Sequence, residues 1–166
     1  MRPDPTTGAA TLAIRSPVGR LVLEAKSGLL TALRFDAQLG SSGSPSPELA
    51  TAAGQLEQYF AGRRRAFELP LQLPGGGFQH RVLSAVAGIP YGERTTYGQV
   101  TAELGLALDD VRVVASAIAR NPLPILIPCH RVVGADGRLA GYGGGLERKA
   151  QLLAREAGQL QLAMPA

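Results

Sequence analysis

The chain has one cysteine, two histidines and no tryptophan in 166 residues. One cysteine excludes an internal disulfide. One cysteine with two histidines also excludes a zinc site built from those residue types alone. Only Lys26 and Lys149 are lysines, so arginine carries the cationic excess. No apolar run approaches the length that spans a bilayer, and Met1-Arg2-Pro3-Asp4-Pro5 lacks the apolar stretch of a secretory leader. The expectation is a soluble, cytoplasmic protein. With 45% hydrophobic and 18% charged residues, a disordered or coiled-coil chain is excluded. The length suits one domain or two small ones, with enough chain to bury a core unaided. A net charge of +4 permits nucleic-acid binding without establishing it.

Residues 11–35 read as a three-strand meander: Thr11–Ile14, then Leu21–Leu23, then Leu29–Phe35. The turns fall at Ser16-Pro17-Val18-Gly19 and Ser27-Gly28. A Gly/Ser/Pro loop over 36–47 precedes Leu49, Ala52, Ala53, Leu56 and Phe60, whose spacing predicts a helix from about 47 to 61. Arg63-Arg64-Arg65 reads as a solvated turn and Ala66–Leu71 as a further strand. Pro74-Gly75-Gly76-Gly77 is the expected boundary between a domain over 1–74 and one over 78–166.

The second half is written in short helices. Val82, Ala85, Val86 and Ile89 share one face of a helix over 78–89. Thr96 and Gln99 form a capping-box signature for the next, with Tyr97, Val100 and Leu104 on one face. Asp109 or Asp110 can cap a third, whose core face is Val111, Val114, Ala115 and Ile118. Arg112, Ser116 and Arg120 line its opposite face, and Pro122 ends it at Asn121. Two helices joined by a short connector, the second carrying arginine outward, make a helix-turn-helix outline. A solvated arginine row has the same pattern. Ile125-Leu126-Ile127 leads into Pro128-Cys129-His130-Arg131-Val132-Val133, followed by an Asp136-Gly137 turn, a return segment to Tyr142 and Gly143-Gly144-Gly145. Leu146, Ala150, Leu153 and Ala157 then repeat at helical spacing, with Glu156 leaning toward their side.

A lone cysteine is by default a small core hydrophobe. Here cationic neighbours, which lower a thiol pKa, offer a second reading: a nucleophile. If the segment is extended, Cys129 and His130 point to opposite faces, and a bridging water would link them. A buried Glu156 could then fix the histidine tautomer. Spacing alone leaves both readings open.

Pro128-Cys129-His130-Arg131-Val132, preceded by Asn121-Pro122 and followed by Gly141-Tyr142-Gly143-Gly144-Gly145-Leu146, strongly resembles the O6-alkylguanine-DNA alkyltransferase family. Phe78-Gln79, Ile89-Pro90-Tyr91-Gly92, Tyr97-Gly98 and the run from Lys149 through Leu152-Leu153 to Glu156-Ala157-Gly158 match the same family. The resemblance covers residues 78–158 closely and the rest loosely. It implies an α+β protein, with a ribonuclease-H-like N-terminal domain and a winged-helix-like C-terminal one. It implies repair of O6-methylguanine, with O4-methylthymine as a further lesion, by single-turnover transfer to Cys129. His130 would be a water-mediated base oriented by Glu156, and Tyr97 a donor to the guanine. Arg112 would enter the duplex where the base flips out, with Ser116 and Arg120 on the same DNA-facing side. Asn121 would be a hinge, and Val132, Tyr142, Gly143 and Gly144 would line the base pocket. The implied partner is double-stranded DNA, bound through the minor groove by a monomer, with cooperative binding left open. No cofactor and no metal are implied.

Several positions depart from the family pattern. Leu83 and Ala150-Gln151 replace frequent tryptophans, and Val113 and Ala115 replace smaller residues beside Arg112. The connector between Tyr97 and Arg112 is about one residue longer than is usual in the family. Gly143 offers only a backbone amide where serine is frequent. Three other readings compete: a lesion sensor without transfer, which the presence of Cys129 opposes; a Cys-His-Glu hydrolase, which would ignore DNA; and a regulatory helix-turn-helix module, which would bind undamaged sequence.

Overall fold

The computed structural model describes residues 9–38, 41 and 44–158. The chain divides into two compact units, with the break between Gln72 and Leu73.

In the first unit, β1 (Ala9–Ser16), β2 (Gly19–Lys26) and β3 (Leu29–Phe35) form an antiparallel sheet with β2 central. Ser27 and Gly28 both have positive φ (53° and 81°), the geometry of the tight hairpin turn whose twist matches the strands. Leu21, Val22 and Leu23 of β2 are all buried, which explains why the central strand reads as a continuous apolar run rather than an alternation. Helix α1 (Pro47–Phe60) buries Leu49, Ala52, Leu56, Tyr59 and Phe60, and Tyr59 packs edge-on to Phe60 with ring centroids 5.1 Å apart.

The strand expected over Ala66–Leu71 does not form. Only Leu71 makes a single parallel bridge, to Leu30. The reason is local. The Gln55 side chain takes both the N–H (2.9 Å) and the carbonyl (3.2 Å) of Glu68, as a neighbouring strand would. Pro70 has no N–H to continue a ladder.

The second unit is mostly helical: α2 (Phe78–Ala87), α3 (Tyr97–Glu103), α4 (Val111–Ala119) and α5 (Leu146–Glu156), with a two-residue parallel pair β4 (Thr95–Thr96) and β5 (Val132–Val133). The capping box at α3 is complete. Thr96 Oγ1 accepts from the Gln99 N–H at 3.1 Å, and Gln99 Oε1 accepts from the Thr96 N–H at 2.9 Å. Helix α4 packs on α2 and α3 through Val114, Ala117 and Ile118. Its expected aspartate cap is absent. Asp110 holds the cap position without a side-chain hydrogen bond, because a 3₁₀ turn over Leu108–Asp110 feeds the helix directly. The α+β class inferred from sequence holds.

The α5 stripe also differs from the expectation. Leu146, Ala150 and Ala157 are exposed, whereas Lys149, Leu152, Leu153, Arg155 and Glu156 are buried. Charged side chains turned inward shift the buried face away from the one the aliphatic residues trace. Leu83 is fully buried and Gln151 half-buried.

Candidate functional site: a buried cysteine beside a helix-turn-helix

Pairing of β4 with β5 sets Thr95 opposite Val132 and Thr96 opposite Val133. It therefore brings the first residue of α3, Tyr97, alongside the segment that follows Cys129. The Cys129–Arg131 segment is a 3₁₀ turn rather than an extended strand. This corrects the geometry on which the opposite-face argument for Cys129 and His130 rested. Cys129 is 8% exposed, and its N–H donates to the Ile127 carbonyl at 2.7 Å.

Asn121 joins α4 to this turn. Its Nδ2 donates to the Ile127 carbonyl at 2.9 Å, and its Oδ1 accepts from the Leu123 N–H at 2.9 Å. It also favours the ionised form of the Cys129 side chain. Between these anchors Ile125 sits at φ 72°, a strained conformation for a β-branched residue, and is held by the Ile127 N–H to Leu123 carbonyl bond.

Glu156 is the hub of the buried charges. Its Oε1 meets His130 Nε2 and Arg131 Nη2, each at 2.8 Å, and its Oε2 accepts from Arg131 Nε at 2.8 Å. The Gly92 N–H approaches Oε2 at 3.4 Å. Burial opposes the carboxylate charge, but the hydrogen bonds from His130 and Arg131 outweigh it and hold the pKa down to about 2. A carboxylate only accepts, so His130 Nε2 carries the proton and donates. Nδ1 is left as the basic nitrogen, buried with no hydrogen-bond partner among the described residues. Burial pushes the His130 pKa down against the pull of Glu156, which keeps the ring neutral and able to take a proton.

The thiol does not behave as its sequence neighbours suggest. Burial raises the Cys129 pKa, and the Asn121 hydrogen bond and then Lys149 offset part of that rise. Arg131, expected to depress it, is committed to Glu156, to the Ile89 carbonyl at 2.6 Å and to the Tyr91 ring. The cation that does act on Cys129 is Lys149. Its Nζ donates to the carbonyls of Val132, Ala140 and Gly141, and lies 5.7 Å from the Tyr97 ring centre. The family-like run from Lys149 to Gly158 includes Lys149 but by itself assigns it no role. The usable signal was its spacing, because Lys149, Leu152, Leu153 and Glu156 run i, i+3, i+4, i+7 on one face.

Tyr97 is half-buried, and its hydroxyl donates to the Ala140 carbonyl at 2.8 Å. Burial, then the Cys129 charge, raises its pKa, and burial does the same more strongly for Tyr142. Val132 is fully buried, Tyr142 and Gly144 are half-buried, and Gly143 is exposed. Arg112 and Ser116 lie on the solvent face of α4 and Arg120 at its C-terminal cap, all exposed, with Val113 54% exposed among them. Among the described residues no cluster of His, Cys, Asp and Glu could hold a metal ion, and no helix is long and apolar enough to cross a membrane.

A helix-turn-helix with an outward arginine row, built on the same unit as a buried cysteine and a hydrogen-bonded His–Glu pair, defines a class: nucleic-acid-binding proteins with a thiol centre of their own. The comparisons narrow the class. Residues 11–73 match the ribonuclease-like domain, and residues 77–158 the DNA-binding domain, of 6-O-methylguanine DNA methyltransferase. The chain belongs to that family. It is 43% identical over 149 residues to the methylated-DNA–protein-cysteine methyltransferase of Mycolicibacterium paratuberculosis, covering 86% of this chain and 89% of that one. It is 38% identical over 148 residues to the constitutive methylated-DNA–protein-cysteine methyltransferase of Bacillus subtilis, covering 83% and 89%. The crystal structure of Mycobacterium tuberculosis OGT in complex with DNA superposes with a TM-score of 0.80 at 41% identity, covering 90% of this chain and 93% of that one.

Proposed function

We propose that the protein repairs O6-alkylguanine in double-stranded DNA by moving the alkyl group irreversibly onto Cys129. Residues 78–166 would carry both the DNA-binding face and the acceptor. The observation that carries this reading is the buried Cys129 turn, held between Asn121 and the His130–Glu156 pair. In the step, the thiol proton passes through a water to His130 Nδ1. The sulfur lone pair then forms the new S–C bond, and the C–O6 bond breaks with its electron pair left on the guanine. Tyr97 gives up its bond to Ala140 and protonates the base. The proton on His130 restores the phenol through solvent, so the net products are the thioether and guanine.

A base cannot be reached in the stack, so the nucleotide must be flipped out, which costs a few kcal/mol. Arg112 fills the gap. Ser116 and Arg120 track the backbone in the minor groove, and Val132, Tyr142, Gly143 and Gly144 surround the extruded base. Asn121 ties the DNA-reading helix to the acceptor turn. The thioether has no second thiol to resolve it, so each molecule acts once. The protein works as a monomer in the cytoplasm.

Incubation with O6-methylguanine duplex, followed by mass spectrometry, tests this. One methyl on Cys129 per molecule is expected, with none on Cys129→Ser. Repeated turnover, or tight binding without transfer, would overturn it.

A further inference from the structure

The step above leaves Lys149 without a task, yet it is more deeply buried than Arg131 or Arg155. It is fully buried. Its Nζ donates to three backbone carbonyls: Val132 at 2.6 Å, Ala140 at 2.8 Å and Gly141 at 3.3 Å. An ammonium has three N–H donors and a neutral amine has two. Three acceptors around one nitrogen therefore describe the charged form.

A buried charge is costly without a counter-charge. Among the described residues no carboxylate lies within ion-pair distance of Lys149 Nζ, and Glu156 is taken by His130 and Arg131. The Tyr97 ring, 5.7 Å away, offers only its quadrupole. Cys129 can become an anion, and its charge and that of Lys149 act on each other.

We propose that Lys149 is a positioning residue for alkyl transfer: its ammonium is the counter-charge against which the Cys129 thiolate forms, and its bonds to the Ala140 and Gly141 carbonyls anchor the backbone that holds Tyr97. The proposal rests on Cys129 being the acceptor. Ala140 accepts from both Tyr97 and Lys149, so Lys149 keeps this carbonyl satisfied when Tyr97 turns to the base. The position therefore needs a cation and not merely a side chain of similar length.

Other titratable groups face Cys129. Tyr97 comes from α3, Tyr142 from the turn before α5, and His130 from the acceptor turn, with Glu156 and Arg131 behind it; Arg148 acts on Tyr142. Both tyrosines are raised and stay neutral. His130 is neutral above its lowered pKa. Burial lowers the Lys149 pKa, with the Cys129 charge opposing, so it is the difference in the thiolate inflection between wild type and a variant without the ammonium that reports Lys149.

The test needs no DNA. The rate at which methyl methanethiosulfonate labels the single cysteine of the full chain is measured against pH, by mass, for wild type, Lys149→Met and Lys149→Arg. In Lys149→Met the inflection should move up by roughly one unit, so labelling at neutral pH falls about tenfold, while Lys149→Arg stays near wild type. A folded Lys149→Met with the wild-type inflection would overturn the proposal.

If Lys149→Met does not fold, the wild-type protein still decides. Lys26 and Lys149 are the only lysines, so the Lys149 Nζ resonance is assignable. It should shift as Cys129 ionises, and show no such step once Cys129 is methylated. An unchanged resonance across the thiol titration also overturns the proposal. Loss of methyl transfer from DNA with these profiles intact would instead count against the DNA reading.

Discussion

The two units are built on opposite interiors. In the first, the core is Leu21, Val22, Leu23, Leu30, Leu49, Leu56, Tyr59 and Phe60, and the one buried polar residue described is Ser16. In the second, Thr101, His130, Arg131, Lys149, Arg155 and Glu156 are buried among the aliphatic residues. An apolar interior gains stability with every group it removes from water. A polar one is stable only while each charge keeps its partners, because the cost of stranding one is high. The first unit is therefore a packing solution. The second gives up part of that security to hold a neutral histidine, an ionised glutamate and a thiol in fixed relation. Perturbing each interior in its own way tests the contrast.

The largest effect is expected at Glu156→Gln. Arg131 would lose its buried counter-charge, a change that costs about 3–5 kcal/mol. The amide can still accept from His130, but it no longer stabilises the imidazolium, so transfer should fall by roughly 10²–10⁴-fold. Denaturant melts and single-turnover transfer rates measure the two separately. A variant of wild-type stability would mean that the charge hub does not hold the second unit together.

Leu56→Ala is the matching cut in the first unit. It removes a fully buried side chain and should cost about 2–5 kcal/mol through lost transfer energy and a residual cavity. The groups that act on the Cys129 thiol, Asn121 and Lys149, both belong to the second unit. The thiol-labelling rate of the folded fraction should stay at the wild-type value, and a changed rate would break the contrast.

Acid should separate the units without mutation. Glu156 has a folded pKa of about 2, below the unfolded value of about 4.3. A depressed carboxyl stabilises above its unfolded pKa, and that stability is lost as pH falls toward the folded value. For Glu156 the window is thus about pH 4.3 down to 2, with on the order of 3 kcal/mol at stake, while His130, lowered by burial, adds its own loss already below about pH 6.5. Hydrogen exchange should show α5 amides losing protection across this window before those of β2. Simultaneous loss would refute the assignment to Glu156.

The same contrast explains what could be read from sequence. Apolar periodicity traced the meander and α1 because in the first unit burial and hydrophobicity coincide. It failed at Ala66–Leu71, where the Gln55 side chain replaced a strand partner, a long-range contact that no local pattern shows. It failed again along α5, where Lys149 and Arg155 are buried beside Leu152, Leu153 and the inward-leaning Glu156, and a rule that sorts lysine and arginine outward picks the wrong face. The capping box at Thr96 was legible because both its bonds are local. The cysteine motif points to the buried thiol, but which cation acts on it depends on how α5 docks against the 132–141 segment, so the cationic sequence neighbour Arg131 is a poor guide to the effect of Lys149.

Arg112→Ala should produce the smallest change, and its smallness is informative. The side chain is exposed on α4, so stability should move by no more than about 0.5 kcal/mol. Thiol labelling should not move at all. If Arg112 holds the gap left by a flipped nucleotide, its loss matters only where there is a stack to fill. Transfer from a duplex should fall, by roughly tenfold for about 1.4 kcal/mol of lost support, while transfer from a single-stranded oligonucleotide stays nearly constant. A phosphate contact would behave differently. It would weaken binding to any duplex and lower the salt slope by about one, with no dependence on whether the base is paired at the start. An equal fall on both substrates would therefore move Arg112 from the finger role to the backbone-tracking row with Arg120. The second unit would then have to extrude the base without help from α4.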